Sequence, residues 1–173
     1  MNLGLSWVNN IVLQSPLFFD SIFTAVTAAL LGPAAGILTG LFTNLGMEWI
    51  YDFTGLYYPF AFCNMATGLI VGYAARQNWI KTTYQLILVI IATATANALL
   101  GGLIANIVFS GDTGVKIDVV ISAFTELGQS LMTANFWARI PTNLLDKMIT
   151  VYIAFFFLLL RKHLNETGAG PAA

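Results

Sequence analysis

Arg139, Asn143, Asp146 and Lys147 stand at offsets of 0, 4, 7 and 8, which puts all four on one face of a helix. Asn44 and Glu48, four apart, form a second polar face, and Asp20, Asn64, Asn97 and Glu126 add single polar groups in otherwise apolar surroundings. Trp49, Tyr57 and Trp137 fall at the same level along their segments. An ionisable group inside an apolar span costs about 2.5–3.5 kcal/mol or more, so such groups face a cavity or one another. Two readings compete. Asp146 and Lys147 could be a structural or solvated ion pair, with the aromatic residues forming an interfacial belt. Alternatively, polar groups from several helices converge below a surface and, with rings, line a pocket for a small, partly aromatic solute. Convergence from three separate segments favours the pocket. Catalysis finds no support: the one histidine, His163, sits among basic residues near the end of the chain, and there is no Cys/His metal spacing, no Walker loop and no serine elbow. Hence no catalytic residue, no metal and no cofactor is expected.

The elements that must position these residues are membrane spans. The 173 residues are 58% hydrophobic and only 9% charged, too few charges to cover a soluble surface. Apolar stretches recur at 3–14, 17–31, 34–50, 59–75, 83–109 and 141–160, with a more polar stretch at 119–138. Most approach the length needed to cross a hydrocarbon core of roughly 30 Å. The expected fold is all-α: a polytopic six-helix bundle whose first helix is short or truncated, with an extra helical or lid segment around 119–138. One transmembrane domain covers 1–164, and 165–173 form a disordered cytoplasmic tail. The net charge of −1 excludes a nucleic-acid partner, and the single Cys63 reads as a small core residue.

Arg76 and Lys81 share one short loop, and Arg161 and Lys162 follow the last span. Alternation puts both sites on one side, which the bias of basic residues assigns to the cytoplasm of a plasma-membrane protein. The opposite, outer side then receives seven of the eight acidic residues. Small residues recur at helical spacing: Gly32, Gly36 and Gly40; Gly68 and Gly72; Ala92 and Ala96; and Ala25 and Ala29. Such stripes let helices approach closely in lipid, either within the bundle or against a partner membrane protein. Gly32, Gly36, Gly40, Ala25 and Ala29 are the candidates for partner packing.

The segment PLFFDSIFTAVTAALLGPAAGILTGLFTN, with Asp20, Gly32, Pro33, Gly36, Gly40 and Asn44, resembles the substrate-binding S components of energy-coupling factor (ECF) transporters. FCNMATGLIVGYAAR, with Asn64, Gly68, Gly72 and Arg76, resembles their fourth helix, and LLDKMITVYIAFFFLLLRKHL their sixth. The resemblance covers roughly residues 15–164 and rests on the order and spacing of motifs that are individually weak. It implies a six-helix bundle that captures a vitamin-like micronutrient at its outer face. It also implies a transmembrane T component and two cytoplasmic ATPases as partners in an ABC-type importer. Asp20, Asn44, Asn64, Asp146 and Lys147 become site candidates by that resemblance, with the loop after the third span and 119–138 as a lid. The chain departs from the family's pattern at its first helix, which is short and carries no alanine pair. A membrane sensor or receptor module and a stand-alone ion-coupled carrier are the alternative functions.

Overall fold

The computed structural model describes residues 1–79, 82–114 and 116–167. Among them are seven α-helices: α1 (Asn2–Val8), α2 (Ile22–Leu31), α3 (Pro33–Ile50), α4 (Ala61–Arg76), α5 (Thr83–Val108), α6 (Asp118–Glu126) and α7 (Leu131–Glu166). A π-helical turn, Asn9–Leu13, continues α1, and a 3-10 turn, Tyr58–Phe60, leads into α4. α5 and α7 are each long and apolar enough, by length and composition, to cross a membrane.

The chain is inside out relative to a soluble protein. Its exposed surface carries Phe42, Leu69, Ile107, Phe156 and many other large apolar side chains, while Asn44, Asn64, Asn135, Arg139, Asp146 and Lys147 are buried. Water would reward the opposite arrangement; a hydrocarbon solvent rewards this one, because polar groups then find partners only inside the bundle. α1 shows the pattern at its smallest scale. Asn2, Ser6 and Asn9, spaced four and three apart, are buried, and Val8, Ile11, Val12 and Leu13 face outward. Asn2 ties the bundle together: its Nδ2 donates to Thr24 Oγ1 (2.9 Å) and Thr43 Oγ1 (3.0 Å), and its Oδ1 accepts from Phe23 N (2.8 Å).

α2 lies at the centre, in contact with α3, α4 and α7; α3 packs on α4, and α5 on α7. The apolar core sits toward the end of the bundle that carries Arg76 and Arg161, built from Ala25, Ala28, Ala29, Val71, Val89, Ile90, Val151, Ala154 and Phe155. A smaller apolar cluster of Ile117, Ile121, Ala134 and Ala138 seats α6 on α7 at the opposite end, hereafter the loop end.

The glycine stripes settle how α3 and α4 meet. A Cβ on Gly68 would lie 2.4 Å from the Gly36 carbonyl carbon, and one on Gly40 would lie 2.7 Å from the Asn64 carbonyl carbon. Neither distance is sterically available, so only glycine permits this backbone approach. Gly32 adopts φ +100° at the turn between α2 and α3, with the Arg76 guanidinium against it. Gly32, Gly36, Gly40, Ala25 and Ala29 are all buried within the chain. The expectation that this set faces a partner helix is therefore corrected: the stripes serve the bundle itself.

Two boundaries differ from the sequence reading. The last helix begins at Leu131, ten residues ahead of the expected span, and runs through Pro141. The proline removes one backbone donor, but Thr142 Oγ1 donates to Ala138 O (2.9 Å) and Asn143 Nδ2 to Arg139 O (2.8 Å). Side chains thus hold carbonyls of the turn that the proline loosens, as membrane helices allow. The expected lid at 119–138 is accordingly divided between α6, the connection 127–130 and the start of α7. At the far end α7 includes Asn165 and Glu166, the first residues of the expected tail. Residues 168–173 of that tail, and Lys81, lie outside the described residues.

Candidate functional site

At the loop end the bundle encloses a cavity of about 110 Å³. Of the thirteen site candidates read from the sequence, Asp20, Asn44, Tyr57, Asn64, Asn97, Arg139, Asn143 and Lys147 line it. They come from the loop before α2, α3, the connection after α3, α4, α5 and α7. Asn9, Asn10, Ser15, Phe18, Met47, Phe60, Cys63 and Lys116, which the sequence reading did not select for this role, are also part of the wall.

A hydrogen-bonded ladder of amides crosses the cavity's inner part. Asn64 Nδ2 donates to Asp20 O (3.1 Å) and to Asn44 Oδ1 (3.0 Å), while Asn44 Nδ2 donates to Tyr57 O (2.9 Å). Asn97 Nδ2 donates to Thr67 Oγ1 (3.0 Å) and Thr93 O (2.9 Å). Asn64 and Asn44 thus hold each other and the backbone of Asp20 and Tyr57, while Asn97 ties α5 to α4.

Asp146 and Lys147 are 0% and 2% exposed and form an ion pair of 2.7 Å. Asp146 does not line the cavity. Its Oδ1 accepts from Phe18 N (3.2 Å) and Phe19 N (3.0 Å), and Phe19 sits at φ 51°, a left-handed conformation that a bulky residue rarely adopts. The carboxylate therefore holds the loop 14–21 over the cavity by its own backbone. Lys147 Nζ also donates to Ser21 Oγ (2.7 Å), so the pair holds the second half of that loop, at Phe18, Phe19 and Ser21.

Glu48 plays a parallel part on the other wall. It is buried and accepts from Gly55 N, from Tyr57 N (2.7 Å) and from Tyr58 N (2.9 Å). It lies behind Leu56 and Tyr57, which line the cavity, and shapes the connection 51–58 instead of touching the cavity itself. Burial pushes the Tyr57 phenol up to about 12, with Tyr51 and Glu48 adding to the shift, so this ring presents a neutral hydroxyl through the physiological range. Tyr51 stacks on it at 4.8 Å.

Three candidates lie elsewhere. Trp49 is 71% exposed and Glu126 is exposed at the end of α6. Trp137, 54% exposed, lines an apolar groove between α5 and α7 on the outside of the bundle. Amphipathic rings collect at a membrane interface for reasons of their own, which is why their position along the chain did not separate belt from pocket.

Backbone carbonyls and a cation border the mouth. Asn9 Nδ2 donates to Leu17 O (2.5 Å), and Lys116 Nζ donates to Asn10 O (2.5 Å) and Asn9 O (3.4 Å), joining the loop after α5 to α1. Phe60, stacked on Phe109 at 5.8 Å, forms an aromatic floor beneath Arg139. Asp20 is the one carboxylate on the cavity wall. No group of three or more His, Cys, Asp or Glu among the described residues could hold a metal. The wall offers hydrogen-bonding groups, charge and aromatic rings.

A family model for the substrate-specific component of ECF transporters matches residues 2–158. No curated protein and no solved structure matches the chain. The family match spans nearly the whole bundle, from the polar face of α1 to the apolar half of α7, and the chain belongs to the family of ECF-transporter substrate-specific components.

Proposed function

We propose that this chain is the solute-capture subunit of an ECF-type importer. It takes a vitamin-like small molecule at the outer face of the plasma membrane and works with a transmembrane T component and two cytoplasmic ATPases. The observation that carries the reading is the convergence of polar side chains from six parts of the chain on one small cavity inside an apolar bundle. Hydrophilic groups in a membrane protein are kept at such cost where they meet a solute. The bias of Arg76, Arg161 and Lys162 to the opposite end supports an outward-facing cavity and a cytoplasmic C-terminus.

The test has two parts. The purified protein is extracted under denaturing conditions and the released small molecules are identified by mass spectrometry. Uptake of the identified solute is then measured in proteoliposomes with and without the T component and ATPases. Capture predicts a stoichiometric bound solute and uptake only in the presence of partners and ATP. Uptake by this chain alone under an ion gradient, or no bound solute at all, would overturn it.

A further inference from the structure

Three cations line the cavity, and one of them has buried donor nitrogens with no acceptor at all. Lys147 is held by Asp146 Oδ2 and Ser21 Oγ, each at 2.7 Å. Lys116 is held by the carbonyls of Asn9 and Asn10. Arg139 is 2% exposed, and its Nε and Nη2 find no acceptor in the protein. Phe60 occupies one face of the guanidinium, 5.6 Å from its central carbon, and Gly101 lies beside Nη1, where an added Cβ would approach to 3.3 Å. Asp118, which accepts from Thr113 Oγ1 (3.1 Å), adds a favourable field at Arg139 but leaves the Nε–Nη2 edge without an acceptor. A buried charged donor without a partner is among the costliest features a fold can retain. The Nε–Nη2 edge is also the geometry that accepts a carboxylate through two parallel hydrogen bonds.

The inner end of the cavity is of opposite character. Asn64 Nδ2 is committed to Asp20 O and Asn44 Oδ1, and Asn64 Oδ1 is buried with no donor facing it. Asp20 adds its carboxylate to the same region. Asp20 lies close enough to Lys147 for their charges to interact, and Lys147 stands eight positions from Arg139 along α7, about 12 Å at the rise of an α-helix, so Asp20 and Arg139 sit at different depths.

We propose that the solute is a small organic carboxylate, its acid group held by the Nε–Nη2 edge of Arg139 and an N–H or O–H donor directed to Asn64 Oδ1. The cavity of about 110 Å³ is well below the roughly 300 Å³ at which pockets for drug-sized ligands begin, which favours a compact acid. The inference rests on the capture reading above and names the chemistry of its solute.

Matched acid and neutral probes test it on the intact purified protein. 4-Aminobenzoate and nicotinate are compared with 4-aminobenzamide and nicotinamide by thermal shift and calorimetry, beside identification of any co-purified molecule. The expected result is that the best acid binds at least about tenfold more tightly than its neutral partner, and that the co-purified molecule carries a carboxylate. Arg139→Gln is expected to remove that preference, and Gly101→Ala, which presses on the guanidinium without removing it, to reduce it. If Arg139→Gln fails to fold, the acid-to-neutral ratio in the wild-type protein and in Gly101→Ala still decides. A neutral co-purified molecule, neutral probes binding as well as acids, or an acid preference that survives Arg139→Gln would overturn the inference and leave capture standing. No bound molecule and no binding by any probe would overturn both.

Discussion

Asp146→Ala separates holding a loop from touching a solute. The substitution removes the acceptor of two backbone amides, Phe18 N and Phe19 N, and the partner of a fully buried ammonium. Removing one member of a buried ion pair costs about 3–5 kcal/mol, because the other charge stays behind without compensation. In a chain of this length each kcal/mol corresponds to roughly 2–4 °C, so a drop in melting temperature of roughly 6–20 °C is expected. The double change Asp146→Asn with Lys147→Met removes both charges while keeping a side-chain oxygen near the two amides and apolar volume near Ser21. It is expected to recover most of the loss. Phe19 adds a second readout: with its amide released, the left-handed conformation is no longer enforced, and the loop 14–21 should become the first site of proteolytic cleavage. Melting of detergent-purified protein followed by tryptophan fluorescence, with limited proteolysis mapped by mass spectrometry, reads both. A single variant that melts within about 2 °C of wild type, or a double variant no more stable than the single one, would refute the clamp.

Glu48→Gln should weaken solute binding by about tenfold with a smaller loss of stability, since the carboxamide has one acceptor oxygen where the carboxylate has two for Gly55, Tyr57 and Tyr58; calorimetry on the variant checks it. Gly68→Val should prevent α3 and α4 from closing, because even its Cβ would lie 2.4 Å from the Gly36 backbone. A loss beyond the 1–3 kcal/mol of ordinary overpacking is expected, visible as aggregation in detergent. Lys116→Ala should leave melting nearly unchanged while speeding solute release several-fold, as it unties the loop after α5 from the Asn9 and Asn10 carbonyls at the mouth; stopped-flow displacement would show it.

Helical faces were readable in the sequence because their geometry is periodic. Arg139, Asn143 and Lys147, spaced four apart, do reach one cavity, and Asn44 meets Asn64 as an amide pair. Asn2, Ser6 and Asn9 also carry a face at spacings of four and three, and attention to amides in that apolar stretch would have found Asn9 and Asn10. Lys116, Ser15 and Phe18 had no such signal. They belong to irregular connections, where position along the chain does not determine direction. The last helix starts ahead of the expected span for a different reason: it runs through Pro141, where the Thr142 and Asn143 side chains bond carbonyls of the preceding turn. Asp146 and Lys147 belong on the polar face, yet only the structure separates a residue that lines the cavity from one that supports its wall.

That separation has a physical basis in the solvent. In lipid an unpaired amide at the end of a loop cannot turn to water, so a loop that covers a cavity must be satisfied from beneath. Asp146 does this for the loop 14–21, and Glu48 does it for the connection 51–58. Both carboxylates are saturated by the protein and have little left to offer a solute. Arg139 is the reverse case, buried on the same face as Asp146 but with two donor atoms unused. With both loops satisfied from within, the Arg139 edge and the Asn64 carbonyl oxygen are the cavity-lining groups that the proposed acid would engage. Occupancy by a solute would complete the hydrogen bonding of the cavity, and should therefore stiffen both covering loops together even though the solute touches neither Asp146 nor Glu48.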